Sequence, residues 1–297
     1  MTDKPPFGRG RQAARVLRGA IRVASAVASC LPDAVVDRLA EVGGTLEWAA
    51  RPAKRRVLAQ NLSRAAGLPA TSPEVRRLVH REIRNEAQRS ADFLLAVRNA
   101  DRLLDATNVI GIEHVRAVLR EGQGAVLTSF HLGGWEVIDA LPRRLGFKLN
   151  VIVTNDWLAW AVAPIRVHAG LNVVYDDEPL ARVTDRLRAG ETVLVLADYA
   201  KPHMRTYTVR LFGQDVDLPA GPATLARLCG SPIVPFLAIP PARRRWEVIV
   251  DRPLRPPPRS GGRDAERELL QLVADRFTEL VPPYLEHWAA VYPMRWR

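Results

Sequence analysis

Cysteine is scarce in this sequence. The two cysteines, Cys30 and Cys229, lie far apart and form no C-x-x-C pair. A disulfide framework and a structural zinc site both need more cysteines or closely spaced ligands, so we expect neither. Such low cysteine usage is typical of a protein that works in a reducing compartment.

Long apolar runs are missing as well. The most apolar N-terminal stretch covers residues 23–31, well short of the ~18–20 residues that a membrane-spanning helix needs. Residues 11–31 have instead the pattern of an amphipathic helix that carries several arginines. Such a helix either lies in a membrane interface with its arginines among anionic head groups, or packs on the protein as an ordinary helix.

Lysine is rare too, with four residues among the 43 basic ones, and 32 acidic residues leave a formal net charge of +11. A basic chain favours acidic partners, such as nucleic acid, an anionic membrane or a phosphorylated substrate. The rest of the composition is ordinary, with 47% hydrophobic and 25% charged residues in a chain of 297. This balance excludes wholesale disorder and a membrane protein of many spans, and the length suffices for a hydrophobic core.

The chain changes character near residue 105. Residues 1–105 are predicted to be helical, with one helix starting at Ser72-Pro73, and to form a region that associates with a membrane. In residues 106–297, apolar runs alternate with helical patterns, which predicts an α/β fold with a mostly parallel central sheet flanked by helices. The predicted strands lie at 125–130, 149–153, 172–174, 192–197, 207–212, 233–239 and 246–250. The predicted helices lie at 136–145, 157–168, 179–189 and 263–280.

One segment joins a predicted strand to a helix and carries two groups suited to acid–base chemistry. His131 follows the strand, Gly133 and Gly134 form a turn, and Glu136 lies in the first turn of the next helix. Ligands bind at the carboxyl ends of strands in open α/β sheets. A carboxylate from Glu136 can fix the tautomer of His131 and stabilise its protonated form. We expect Gly133 and Gly134 to let a substrate approach the backbone closely.

Other catalytic signatures are absent from the sequence: there is no G-x-S-x-G elbow, Walker A loop or H-E-x-x-H motif. A histidine–carboxylate pair without its own nucleophile needs one from a substrate, such as a hydroxyl group. The alternative is that His131 is an ordinary core histidine, since an H-x4-E pattern also arises by chance.

The block from His131 to Glu136 resembles the H-x4-D/E motif of the bacterial lipid A biosynthesis (lauroyl/myristoyl) acyltransferases and of the related phosphatidylinositol mannoside acyltransferases. Five further segments follow the order and spacing of that family. They are Arg56 to Leu62 (R-x-x-x-x-N-L), Leu196 to Asp198, Leu211 to Gly213, Leu218 to Arg227, and Pro232 to Pro235. The resemblance implies a glycerolipid acyltransferase-like fold. It also implies transfer of a fatty acyl chain from acyl carrier protein or acyl-CoA to a glycolipid hydroxyl, without a cofactor.

The resemblance also assigns roles to residues. His131 is implied to be the general base and Glu136 its partner. Arg166 and Asp198 match an arginine and an acidic residue of the family's active site, where they would bind substrate or orient each other. The helix that starts at Gly221-Pro222 either meets a phosphate or oxyanion with its first amides, or is simply a tight connection of small residues.

The resemblance further implies a peripheral protein at the cytoplasmic face of the inner membrane, in contact with anionic lipids. Trp288, Tyr292 and Trp296 either lie at head-group level or are buried. Tyr199 stands where lipid A enzymes commonly have glutamine, so the acceptor stays open between a lipid A precursor and a phosphatidylinositol mannoside. The alternatives are an acyl-thioester or lipid hydrolase, an acyltransferase for a soluble metabolite, and a basic nucleic-acid-binding protein, although no nucleic acid partner is expected.

Overall fold

The N-terminal part of the chain is helical. A computed structural model describes residues 8–134, 141, 144–257 and 261–297. Its first helices are α1 (Gly8–Cys30), α2 (Asp33–Ala50), α3 (Pro52–Ala66), α4 (Pro73–Ala96) and α5 (Ala100–Asp105). They confirm the predicted helical character of this region from residue 8 onward.

Helix α4 begins where the sequence predicts. The Ser72 side chain accepts a hydrogen bond from the Val75 amide at 3.2 Å, and Pro73 occupies the first helical position. Serine satisfies an amide that lacks a partner within the helix, and proline lacks an amide that would need one.

A central sheet follows the helices. Its strands are β1 (Thr107–Ile110), β2 (Ala125–Ser129), β3 (Leu149–Val153), β4 (Asn172–Tyr175), β5 (Thr192–Leu196), β8 (Ile233–Ala242) and β9 (Arg245–Val250). Their order across the sheet is β1-β9-β8-β2-β5-β3-β4. The five strands from β8 to β4 run parallel, β9 is antiparallel to β8, and β1 is parallel to β9. The sheet is mostly parallel, which confirms the predicted fold class.

A second, antiparallel sheet contains β6 (Thr206–Leu211), β7 (Gln214–Pro219) and β10 (Arg295–Trp296). β6 and β7 form a hairpin through Phe212 and Gly213, whose φ angles are 50° and 77°. Two consecutive positive φ values match the tight turn that fits the twist of paired strands. The sequence analysis did not predict β7.

Helices cover the central sheet. They are α6 (Ile112–Arg120), α7 (Trp157–His168), α8 (Leu180–Arg188), α9 (Gly221–Cys229) and α10 (Gly262–Leu280), with a 3-10 helix over Pro282–His287. The predicted helix at 136–145 lies mostly outside the described residues.

The N-terminal helices share a hydrophobic core with the sheet and α10. Fully buried Leu58 of α3 and Ile83 of α4 belong to the same cluster as Phe130, Phe277 and Trp288. The core therefore packs part of the N-terminal region directly against the α/β half of the chain. The division of the chain at residue 105 into two functional regions stays a prediction.

Candidate active site

His131 and Asp198 meet because two neighbouring parallel strands end at the same edge of the sheet. Ser129 of β2 lies opposite Leu196 of β5, and the Ala197 amide donates to the Ser129 carbonyl at 2.9 Å. His131 lies two residues after Ser129, and Asp198 lies two residues after Leu196. The register of two strands thus brings together side chains that lie 67 residues apart.

The carboxylate of Asp198 holds His131 by two contacts. His131 Nδ1 lies 2.7 Å from Asp198 Oδ1, and the His131 amide donates to Asp198 Oδ2 at 2.9 Å. A third donor, Trp288 Nε1, reaches the same Oδ2 at 2.9 Å. Asp198 is 4% exposed and Trp288 is fully buried, while the His131 side chain is 21% exposed. The pair is rigid on its buried side and accessible at the imidazole.

Asp198 is ionised at neutral pH despite its burial. Burial raises the pKa of this carboxyl, but the His131 ring, Trp288 and the His131 amide together outweigh it and hold the pKa below its usual value. An ionised carboxylate can only accept hydrogen bonds, so His131 carries a proton on Nδ1. Nε2 is then the nitrogen that can take a proton from a substrate.

The segment after the 3-10 helix fixes the loop that carries His131. The Ala289 amide donates to the His131 carbonyl at 2.7 Å, and the Gly133 amide donates to the His287 carbonyl at 2.7 Å. Leu132 and Trp288 form an isolated antiparallel bridge. The loop at 131–134 is therefore held from both sides, by Asp198 after β5 and by residues 287–289.

Neighbouring strands of the protein pack closely against Gly133 and Gly134. Gly133 has a φ of +66°, and a Cβ there would lie 1.7 Å from the Ala238 carbonyl oxygen. A Cβ on Gly134 would lie 2.1 Å from the Trp246 ring. The Gly134 amide donates to the Ala238 carbonyl at 2.8 Å. Packing against β8 and β9 therefore requires both glycines, and their assignment to substrate binding stays a prediction.

One tyrosine ring lies beside His131, and a second tyrosine stacks on the first. The Tyr292 ring centre lies 5.2 Å from that of His131, and Tyr199, which directly follows Asp198, stacks on Tyr292 at 4.2 Å. Tyr292 is 37% exposed.

The other two aromatic residues of the C-terminal segment have structural contacts. Of the two positions predicted for Trp288, the buried one is correct, because its indole is inaccessible and donates to Asp198. Trp296 is half-buried and donates to Asn61.

The other predicted site residues lie at different places. Arg166 is buried in the last turn of α7. Gly221 and Pro222 form the N-terminus of α9, where a Cβ on Gly221 would make ordinary contact with Val195 of β5. Glu136 lies outside the described residues.

Sequence reasoning missed two supports of the site. Trp288 donates a hydrogen bond to Asp198, and the Asn61 side chain donates a hydrogen bond to the Tyr292 carbonyl. Asn61 stands in the R-x-x-x-x-N-L segment, so the family motif marked it without giving its role. The Tyr/His/Trp composition of residues 284–288 was the only signal for Trp288.

The comparison with protein families decides the assignment. The family model described as bacterial lipid A biosynthesis acyltransferase matches residues 15–297. The chain belongs to this family. The match confirms the resemblance seen in the sequence and the prediction that the protein is an acyltransferase of lipid biosynthesis.

The chain is also similar to two phosphatidylinositol mannoside acyltransferases. The one from Mycolicibacterium smegmatis is 27% identical over 215 residues, which is 69% of each chain. The one from Mycobacterium tuberculosis is 27% identical over 215 residues, which is 69% of this chain and 67% of that protein. Among solved structures, the 1-acyl-sn-glycerophosphate acyltransferase PlsC from Thermotoga maritima matches with a TM-score of 0.36 and 14% identity, over 83% of this chain and 97% of that chain.

Proposed function

We propose that this acyltransferase moves a fatty acyl chain from an acyl thioester to a hydroxyl group of a glycolipid, with His131 as general base. The observation that carries the proposal is the 2.7 Å contact between His131 Nδ1 and the buried Asp198 carboxylate. Membership of the family and the names of its mannoside-acylating relatives support a glycolipid acceptor.

The reaction follows from the tautomer that Asp198 imposes. His131 Nε2 takes the proton of the acceptor hydroxyl, and the oxygen attacks the carbonyl carbon of the thioester. Asp198 stabilises the imidazolium that results. The tetrahedral intermediate then collapses, the carbon–sulfur bond breaks, and the imidazolium returns its proton to the departing thiolate. The products are an ester and a thiol, with no covalent bond to the enzyme.

Glu136 remains part of the proposal as the second carboxylate of the H-x4-E motif. Asp198 already bonds Nδ1, so a contribution from Glu136 would have to be made at the Nε2 side of the ring or at the substrate. This predicts a smaller effect of Glu136→Gln on turnover than of His131→Ala. Arg166 and the start of α9 at Gly221-Pro222 are kept as proposed substrate-binding elements.

The thioester is proposed to come from acyl carrier protein or acyl-CoA, and the acceptor to be a lipid A precursor or a phosphatidylinositol mannoside. The names of the 27%-identical relatives favour the mannoside. No cofactor enters the proposed steps.

An exposed apolar stripe on α2 supports peripheral binding to a membrane. Val35, Leu39, Val42 and Leu46 are 42–64% exposed and recur every three or four residues, so they share one face of the helix. Helix α1 likewise exposes three valines, and its Arg11, Arg15 and Arg22 are exposed as well. Apolar side chains beside arginines fit an anionic lipid surface. In the described part of the chain, no helix has the length and hydropathy needed to cross a bilayer.

The test is acyl transfer by the purified full chain. Labelled acyl-CoA and acyl-carrier protein are supplied with glycolipid acceptors in mixed micelles, and products are identified by mass spectrometry. We expect His131→Ala to lower turnover by ~10²–10⁴, the usual loss for a general base. Asp198→Asn should also lower it strongly, because the amide favours the wrong tautomer. Unchanged transfer by His131→Ala contradicts the mechanism, and release of free fatty acid without acceptor acylation identifies a hydrolase instead.

A further inference from the structure

We propose that the stacked rings of Tyr199 and Tyr292 form a platform that binds the sugar ring of the acceptor, and that Asn61 positions this platform beside the base. The inference rests on the function proposed above and extends it to the residues that recognise the acceptor. It concerns groups that the acid–base chemistry itself does not use.

The platform is adjacent to the imidazole. Tyr292 lies 5.2 Å from His131 between ring centres, and the two tyrosine rings are inclined by 22° at 4.2 Å. Tyr199 is attached to the chain directly after Asp198, so its backbone is fixed by the catalytic pair. Tyr292 is 37% exposed as a whole residue, so it lies at the surface beside the imidazole.

Asn61 holds Tyr292 in this place with both polar atoms of its amide group. Its Nδ2 donates to the carbonyl oxygens of Ala290 at 2.8 Å and of Tyr292 at 2.9 Å, and its Oδ1 accepts from Trp296 Nε1 at 2.9 Å. The side chain is buried, with the residue 1% exposed. A buried amide whose three bonds all go to residues 290–296 serves to fix that segment, and the residue it brings to the site is Tyr292.

The Tyr292 side chain combines an aromatic face with a hydroxyl group, and a sugar ring can use both. Burial and acidic groups, including Asp198, Asp156 and Glu86, raise the pKa of this hydroxyl, so the phenol stays protonated. A protonated phenol can exchange hydrogen bonds with sugar hydroxyls, and an aromatic face packs against the apolar C–H face of a sugar ring.

Saturation-transfer NMR on the full chain tests the platform directly. Methyl α-mannoside and methyl N-acetylglucosaminide serve as soluble probes. We expect the wild type to transfer saturation to at least one of them, and Tyr292→Ala to lose the signal. Tyr207→Ala is the matched control and should keep the signal, because Tyr207 lies on β6 and its hydroxyl donates to Glu266 of α10 at 2.9 Å. A wild type that binds neither glycoside, or a Tyr292→Ala variant that binds as well as the wild type, overturns the inference.

Kinetics then separate acceptor from donor. Tyr292→Ala should raise the acceptor KM by about tenfold, the loss expected for one aromatic contact, with the thioester KM unchanged. Asn61→Asp, which turns two donors into an acceptor facing carbonyl oxygens, should raise the acceptor KM in the same way. If Asn61→Asp does not fold, Trp296→Phe is used in its place. This milder substitution removes only the hydrogen bond from Trp296 to Asn61. A rise in the thioester KM alone overturns the inference.

The two proposals are separable by their outcomes. If the wild type binds a glycoside through Tyr292 but transfers no acyl group, the proposed reaction is wrong and the sugar platform stands. If acyl transfer proceeds and Tyr292→Ala alters neither glycoside binding nor the acceptor KM, the platform is wrong and the reaction stands.

Discussion

Asp198 is buried and yet charged, and three donors compensate its burial. The donors are the His131 ring, the His131 amide and Trp288 Nε1. Two of these bonds fix the imidazole relative to its own backbone, and the third fixes the carboxylate. The proposed base is thus held in place before substrate binds, which is the arrangement that general-base catalysis requires.

His287 supports the loop that carries His131, the proposed base. Its carbonyl accepts from the Gly133 amide, and Asn85 Nδ2 lies 3.2 Å from its Nδ1. Burial, reinforced by Arg89, lowers the pKa of the His287 ring to about 4. The folded protein therefore keeps this ring neutral at pH values where the ring of an unfolded chain is already protonated.

The low pKa of His287 makes stability depend on pH. The unfolded histidine takes up a proton near pH 6.5 and the folded one only near 4, so its stabilising contribution is complete above about 6.5 and is lost as the pH falls toward 4. By pH 5 the loss is about 2 kcal/mol. We expect urea unfolding between pH 7.5 and 5 to show a smaller pH-dependent loss in His287→Asn than in the wild type. His168→Gln, an exposed histidine, is the control, and equal slopes in His287→Asn and the wild type contradict the prediction.

At the scale of elements, α7 contains a proline whose missing amide is compensated by another helix. Pro164 cannot donate to the Trp160 carbonyl, and Arg18 of α1 donates to that oxygen through Nη2 at 2.7 Å. Arg18 Nε also reaches the Ala161 carbonyl at 3.3 Å. The proline site thus fastens α1 to α7.

Loss of the Arg18 contact should loosen α1. Arg18→Met keeps much of the apolar stem and removes the donors, so we expect the free energy of unfolding to fall by about 1.5–3 kcal/mol, the range for hydrogen bonds to charged groups. Hydrogen exchange in α1 should become faster. Arg22→Met, an exposed arginine of the same helix, is the control. Equal effects of the two substitutions would show that the bonds to α7 contribute nothing specific.

Elements were predicted well where their signals were local. The strand at 149–153 and the helix at 157–168 match β3 and α7 to the residue. Asp156 caps the start of α7, since its side chain accepts from the Ala159 amide at 2.8 Å. β7 was missed because acidic residues and a proline interrupt its apolar pattern. The Phe212-Gly213 turn was the available signal for its hairpin.

The site was predictable only in part. His131 was found from its place after a strand and Asp198 from the family motif, whereas their contact depends on the register of β2 and β5. The hydrogen bond from Trp288 to Asp198 joins residues 90 positions apart, and the hydrogen bond from Asn61 to the Tyr292 carbonyl joins residues 231 positions apart. Pairings over such distances are set by the tertiary fold, and one sequence without relatives does not record them.

At the scale of the whole molecule, the α2 stripe predicts how the protein meets lipid. Leu39→Gln together with Leu46→Gln should weaken binding to vesicles that contain phosphatidylglycerol by about tenfold or more, because two apolar side chains no longer enter the interface. Thermal stability should hardly change, since both side chains are exposed. Leu272→Gln on α10, 48% exposed, is the control in the flotation assay. Equal binding of the double variant and the wild type contradicts a role for the stripe.

The bond between Trp288 and Asp198 also has a consequence for the order in which the chain is made. A ribosome that has just added Asp198 must extend the nascent chain by 90 residues before the indole that holds this carboxylate exists. Until that stretch has emerged, the sheet edge lacks both the indole and the amide of Ala289 that hold its loop. The pair of His131 and Asp198 therefore gains its full set of hydrogen bonds only after residues 288 and 289 have been added.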